Sequence, residues 1–417
     1  MTIPAARQWR RKFSRIAVAG ILFQGGAATV DSTTIVSALV HQLTASSFAV
    51  GAAAAISRYG WLFPQLIVAH LAQSRARRMP FYSAGAFGRV ICLLCLAALL
   101  WLSALLPRHI TVALFFTIWT AFAFISGIVA VPYNDIVARS VASGRRSRLL
   151  AVRFFGGGLL MLLIAGLAHW MLRALPFPAG YALLFLLGAG LLAASAISFL
   201  LAGETSVRPT EPRSSFADFL REGLRVLRQD DRFRLFLYAR WLSGTATMAL
   251  PFYILQATRV ETLRGDVALF FAAQTVGSLL SNPLWGWWGD RRGKASLLVL
   301  AALLGTLAPA LTLWWMALGW REPGLTLSWF GMVFFVIGAA GNGDTIAQLG
   351  YLMELSPDDR RPAYSGYFNA LAAPAALLPM VGALVAQVAS FAWVFAISLC
   401  AACFQVAALR RLIAVKS

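Results

Sequence analysis

Twelve separate stretches of this chain are apolar for long enough to cross a bilayer, and no other feature restricts its fold as much. A helix crosses the ~30 Å hydrocarbon core with roughly 20 apolar residues. Such runs lie near 16–40, 47–73, 80–105, 110–138, 149–173, 180–203, 233–258, 264–289, 295–318, 325–355, 363–389 and 391–413. Pro64, Pro132, Pro283, Pro374 and Pro379 fall inside them. Membrane helices tolerate such breaks where neighbouring helices satisfy the freed backbone groups. Composition agrees: 59 % of residues are hydrophobic and 12 % charged, with a mean hydropathy of +0.73. A soluble chain would carry about 25 % charged residues.

The formal net charge is +20, from 36 Lys+Arg against 16 Asp+Glu. A nucleic-acid binder would gather this excess on one face or tail. A membrane protein gathers it in cytoplasmic loops. With both termini placed in the cytoplasm, 27 of these residues fall on the cytoplasmic side and five (Arg108, Arg173, Arg259, Arg264 and Arg321) on the periplasmic side. That bias sets the expected orientation in a bacterial inner membrane, and it accounts for the basic charge with no nucleic-acid partner. The N-terminal ARQWRRKFSR followed by an apolar run has the outline of a secretory signal. The run is too long for one, contains Asp31 and lacks a small-residue cleavage site, so it reads as a retained first helix.

Two C-x-x-C pairs, Cys92/Cys95 and Cys400/Cys403, lie inside apolar spans. Thiolates would have to form there in hydrocarbon, so they read as packing residues, with neither metal nor redox cofactor. Polar residues concentrate at 204–232 and divide the chain into a six-helix half at 1–203, a linker and a second half at 233–417. Within the linker, Phe216, Phe219, Leu220, Leu224 and Leu227 form one helical stripe, and Arg221, Arg225, Arg228 and Arg232 another. The pattern suits a helix lying beside anionic lipid headgroups on the cytoplasmic face, or a tether that is merely amphipathic. The halves repeat weakly: SVASGRRSRLLAVRFF at 140–155 lies over LSPDDRRPAYSGYFNA at 355–370, and AQSRAR at 72–77 over GDRRGK at 289–294. Internal repeats of this kind mark transporters that alternate access around a central site.

The apolar run NPLWGWWGDRRGK ends in opposed charges: Gly286, then Asp290, Arg291, Gly293 and Lys294. This G-x-x-x-D-R-x-G-K pattern at an expected cytoplasmic turn resembles the signature loop of the major facilitator superfamily. Twelve spans, a long middle loop and cytoplasmic termini extend the resemblance to the whole chain. It implies an all-α integral membrane protein, with 12 transmembrane helices in two pseudo-symmetric six-helix bundles. It further implies that the loop, with Glu354 as a partner on helix ten, latches the cytoplasmic side. Physically, Gly286 permits close helix approach. Asp290 is expected to accept N–H groups at the start of the ninth helix, and Arg291 and Lys294 to pair with acids. The N-terminal copy departs from the pattern: Gln73 replaces the aspartate, before Ser74, Arg75, Ala76, Arg77 and Arg78. Arg139 stands where helix ten has Glu354, with Asp135 one turn earlier as a substitute. The glycine-rich FFGGGLL at 154–160 has no proline, and close helix packing accounts for it.

A charge at mid-bilayer costs about 2.5–3.5 kcal/mol on insertion scales, so such residues usually pair or function. Asp31 and Arg58 each lie some fifteen residues from a cytoplasmic helix end, at roughly 22 Å depth, and are expected to meet. They are a proton or substrate site, or a permanent structural pair. Asp344 lies near mid-bilayer, with Gly338, Gly341 and Gly343 expected to loosen helix ten. Arg240, Gln274 and Asn369 complete the candidate substrate and proton pathway, and Arg89 and Arg153 lie in spans as well. Arg153, the nearest to the cytoplasmic mouth, is expected to snorkel. Arginines facing the interior favour an organic anion; if they snorkel, Asp31 and Asp344 favour a cationic or amphiphilic compound.

There is no H-E-x-x-H, G-x-S-x-G or G-x-x-x-x-G-K-[ST] pattern, so no enzyme is indicated. The expected function is secondary active transport of a small organic solute by a proton-coupled monomer. Drug efflux and a non-transporting sensor with a transporter fold are the alternatives.

Overall fold

The computed structural model describes residues 3–32, 34–73, 75–204, 215–257, 267–320 and 322–414. Ser74, Arg259, Arg264 and Arg321, named above, lie outside the described residues. Among the described residues every regular element is a helix. The first span comprises α1 (Ile3–Ala28) and α2 (Ile35–Thr44), and the second α3 (Ser47–Leu62) and α4 (Pro64–Gln73). Then come α5 (Met79–Trp101), α6 (Arg108–Ser140), α7 (Arg146–Ala174) and α8 (Ala179–Ala202). The linker holds α9 (Phe216–Gln229). The seventh span comprises α10 (Asp231–Ala246) and α11 (Leu250–Ala257), followed by α12 (Val267–Arg291), α13 (Lys294–Leu318) and α14 (Pro323–Leu355). The eleventh comprises α15 (Arg361–Ala372) and α16 (Leu378–Val388), and α17 (Phe391–Ala414) closes the chain.

Seven of these helices are long and apolar enough to cross a membrane on their own. Spans one, two, seven and eleven are divided, for local reasons. At the first break the Asp31 carboxylate accepts the Thr34 N–H and hydroxyl, both at 2.9 Å, so the side chain replaces helical bonding at the start of α2. Pro64 removes a donor at the second. Pro374 and Pro379 flank the short 3-10 turn Ala373–Leu377 in the eleventh. Large apolar side chains such as Leu163, Trp170, Val388 and Phe404 are more than half exposed. In water that would be an aggregation hazard; against lipid it has no such cost.

Packing gathers the chain into two units. One comprises Met1–Ala142, Val152–Phe219 and Ser356–Ala370; the other comprises Ser143–Ala151, Leu220–Leu355 and Leu371–Ser417. In the first, α1 packs on α8, and α5 on both α6 and α8. Its core stacks Phe115, Trp119 and Phe122, with the Trp119 indole donating to the Ala53 carbonyl at 2.9 Å. Cys92 is buried in this core, while Cys95, Cys400 and Cys403 are exposed and free. The FFGGGLL glycines give room to α1: a Cβ on Gly156 would meet Ile21 at 2.6 Å.

The second unit repeats the scheme, with α10 on α17 and α13 on both α14 and α17. Phe270, Trp315, Phe330, Phe334 and Phe395 fill its core. Here α14 runs unbroken from Pro323 to Leu355, contrary to the loosening expected at Gly338, Gly341 and Gly343. Two of the three serve contact instead: a Cβ on Gly338 would overlap the Gln274 carbonyl of α12, and one on Gly343 would meet the Trp285 ring at 3.0 Å, while Gly341 faces open space. In α9 the buried residues include Phe219 and Val226, whereas Phe216, Leu220 and Leu224 of the anticipated stripe are exposed.

Gly338→Ala should therefore destabilise the detergent-purified protein by about 1–3 kcal/mol through overpacking. Gly331→Ala, in open space on the same helix, should be neutral or slightly stabilising. Parallel denaturation curves check the contrast.

Candidate functional site

The charged end of α12 is built around a helix start. Asp290 accepts the backbone N–H groups of Ser147 at 2.9 Å and Arg148 at 3.0 Å, in the first turn of α7. The expectation that it would cap the ninth helix is thus corrected. Gly293, at φ +87°, turns the chain directly into α13 at Lys294, whereas the first amides of α7 lie within reach of Asp290. A carboxylate at a helix N-terminus gains both hydrogen bonds and the favourable end of the dipole. Two glycines make the approach feasible. A Cβ on Gly286 would meet Ala151 at 2.9 Å, and one on Gly289 would overlap the Ser147 hydroxyl.

Lys294 is almost fully buried and joins three groups. Its ammonium donates to the Ser143 carbonyl and lies 3.0 Å from a Glu354 oxygen and 3.9 Å from Asp290. The Ser143 hydroxyl in turn donates to Glu354. The aliphatic stem of Lys294 passes Gly350, where a Cβ would sit 2.8 Å from Lys294 Cγ. Arg291 does not take the acid partner expected of it. It is exposed and its guanidinium lies 5.8 Å from the Trp287 ring centroid.

A second charged cluster forms in the other unit, where the sequence motif is degraded. Asp135, wholly buried, lies 2.7 Å from Arg139 and 3.4 Å from each of Arg78 and Arg361. Arg361 also pairs with Asp358. Glu204 accepts the N–H groups of Arg78 at 2.7 Å and Met79 at 2.8 Å, capping α5. Burial lowers the Arg78 pKa, with nearby Arg139 adding to the effect and Asp135 and Glu204 opposing it. Sequence reasoning had named Asp135 as a substitute acid but missed Arg361 and Glu204. The repeat was the available signal, since Arg361 lies over Arg146 in it and each opens a helix.

Of the charges inside the spans, Arg240 and Asp344 come together at 3.4 Å, in the second unit. Asp344 lies eleven residues before the end of α14, roughly 16 Å along the axis. Asp31 and Arg58 do not meet: Asp31 is held by Thr34, and Arg58 is exposed on α3. Asn369 donates to the buried Gln65. Gln274 is half-buried on α12, its carbonyl against Gly338. Arg153 does not snorkel. Its stem lies on Gly20, where a Cβ would sit 2.5 Å from Arg153 Cγ, and its head donates to the Tyr133 hydroxyl at 3.2 Å.

The C-terminal part of the chain, residues 261–414, matches the model of the Major Facilitator Superfamily. Over nearly its full length the chain resembles a bacterial homologue of the iron transporter ferroportin in an outward-facing state. The TM-score there is 0.76 at 14 % identity, covering 97 % of this chain and 99 % of the other. The proton:xylose symporter XylE aligns with a TM-score of 0.65 at 16 % identity, covering 96 % and 95 %. The transporter FucP, in an outward conformation, aligns with a TM-score of 0.71 at 13 % identity, covering 95 % and 99 %. No curated protein sequence matches. The chain therefore has the fold of the major facilitator transporters, and its C-terminal part matches that family's model.

With this fold and its long apolar helices it is an integral, multi-pass membrane protein. The motif that carried the resemblance now has a geometry: a cap, two contact glycines, one turn glycine and a buried lysine. Among the described residues no three His, Cys, Asp or Glu side chains converge on a point that could hold a metal ion.

Lys294→Met leaves Glu354 and Asp290 without their buried cation, and should cost on the order of 3 kcal/mol. Adding Glu354→Gln should recover part of that loss. Chemical denaturation of the single and double variants measures the coupling, and a Lys294→Met protein as stable as the parent would remove the cluster's structural weight.

Proposed function

We propose that this chain is a major facilitator superfamily member and a proton-coupled secondary transporter of a small organic solute in the bacterial inner membrane. Both termini lie in the cytoplasm, and it works as a monomer by alternating access. The observation that carries the reading is the Arg240–Asp344 pair, set within α10 and α14 at 3.4 Å. A carboxylate placed there costs free energy unless it is paired or neutral. Its two states are therefore an ion pair, or a protonated acid beside a freed guanidinium. Protonating Asp344 releases Arg240, and that exchange is the coupling step: a proton at Asp344 Oδ2 changes the charge offered to the solute. Gln274 and Asn369 are proposed as polar contacts along the path, with Asp31 and Arg58 at its other charged positions.

The two halves of the chain, 1–203 and 233–417, are proposed as the bodies that move, with 204–232 tethering them. In this reading the Gly286, Asp290, Arg291, Gly293, Lys294 and Glu354 group is the cytoplasmic latch. Closing it seats the first turn of α7 on Asp290, and opening it requires that cap and the Lys294 contacts to break together. The basic residues of α9 face anionic headgroups.

A thermal-shift panel of organic anions, sugars, amino acids and lipophilic cations identifies a ligand, since binding to the folded state alone raises its stability. In proteoliposomes, Asp344→Asn should abolish accumulation of that ligand driven by a pH gradient while retaining exchange of labelled for unlabelled ligand. Wild-type accumulation by Asp344→Asn would end the proposed role of this carboxylate in coupling.

A further inference from the structure

Among the described residues, Arg89 and Arg153 of the first unit are held against aromatic rings and have no acid partner. Arg89, on α5, is 5 % exposed. Its guanidinium lies 5.1 Å from the centroid of the Phe23 ring on α1. Arg153, on α7, lies 5.7 Å from the same ring and 5.0 Å from that of Tyr133. The Nε atoms of both are buried without a hydrogen-bond partner. Among the described residues neither forms a salt bridge, although Arg78, Arg139, Arg240, Arg361 and Lys294 all do. The hydroxyl groups of Tyr82 and Tyr133 are near them and supply no carboxylate. Phe23, Tyr133 and Arg153 are half-buried, so the cluster is not fully enclosed.

A structural arginine in this setting would be expected to have an acid, as Arg78, Arg139, Arg240 and Arg361 do, because an uncompensated buried charge is costly. Cation–π contact with one shared ring offsets only part of that cost. Two forks of N–H donors with unused capacity match the oxygens of a carboxylate or phosphate. We propose that Arg89 and Arg153 bind the anionic group of the transported solute, which makes the substrate an organic anion. The assignment rests on the transporter reading above and narrows it. In it, Phe23 and Tyr133 hold the guanidinium planes in place while the site is empty, and the anion takes over the unused donors on entry.

The test uses purified full-length protein and matched probes: gluconate with glucose, glycerol 3-phosphate with glycerol, benzoate with benzamide, and tetraphenylphosphonium. At least one anion should raise the unfolding temperature where its neutral partner does not. Arg89→Gln and Arg153→Gln should each weaken that anion's binding by about 10- to 100-fold, and Arg89→Lys should weaken it less. The ligand-free Arg89→Gln protein should unfold no earlier than the parent, since a charge without a partner is removed. Marked destabilisation or failure to fold in both Gln variants would make the arginines structural and overturn the proposal. So would anion binding that survives both substitutions. Stabilisation by only the neutral probes or tetraphenylphosphonium, or by none of the anions, would overturn it too, while leaving transport itself to the proteoliposome assay.

Discussion

Every backbone amide in the hydrocarbon must find its partner inside the protein, and the rest of this structure depends on that requirement. It makes the chain a series of helices, and it also governs where the helices are allowed to stop. At the first break the Asp31 side chain takes over the Thr34 amide. At the seventh, a 3-10 turn at Thr247–Ala249 carries the bonding into α11. The breaks are places where a side chain or a tighter turn substitutes for the helical ladder.

The same accounting explains the charged ends. The first N–H groups of a helix have no intrahelical partner. Asp290 satisfies two of them on α7, and Glu204 two on α5. In each case a carboxylate at the end of one helix closes the open end of another. Buried cations accompany both: Lys294 beside Asp290 and Glu354, and Arg78, Arg139 and Arg361 around Asp135. The latch proposed above would have to release the Asp290 cap and the Lys294 contacts together.

Deeper in the spans the charges divide differently. Arg240 has Asp344, whereas Arg89 and Arg153 have only aromatic faces and hydroxyl groups. This difference is the ground on which the first is proposed to take a proton and the second an anion.

Hydropathy and charge count, which are local properties of a chain, were enough for the sequence to settle twelve spans, an all-helical membrane fold and the motif from Gly286 to Lys294. It also carried, as the repeat between 140–155 and 355–370, the two segments that the units later hold apart from their own halves. The partner of Asp290 was beyond its reach. The capped amides lie 143 and 142 residues away, and which helix start meets a carboxylate depends on how helices pack. For the same reason Asp31 and Arg58, placed at one depth by counting, did not pair, while Arg153 turned inward onto Gly20. Depth along a helix follows from sequence position, but the direction a side chain faces is set by the neighbours that leave room for it, and only the tertiary structure decided those.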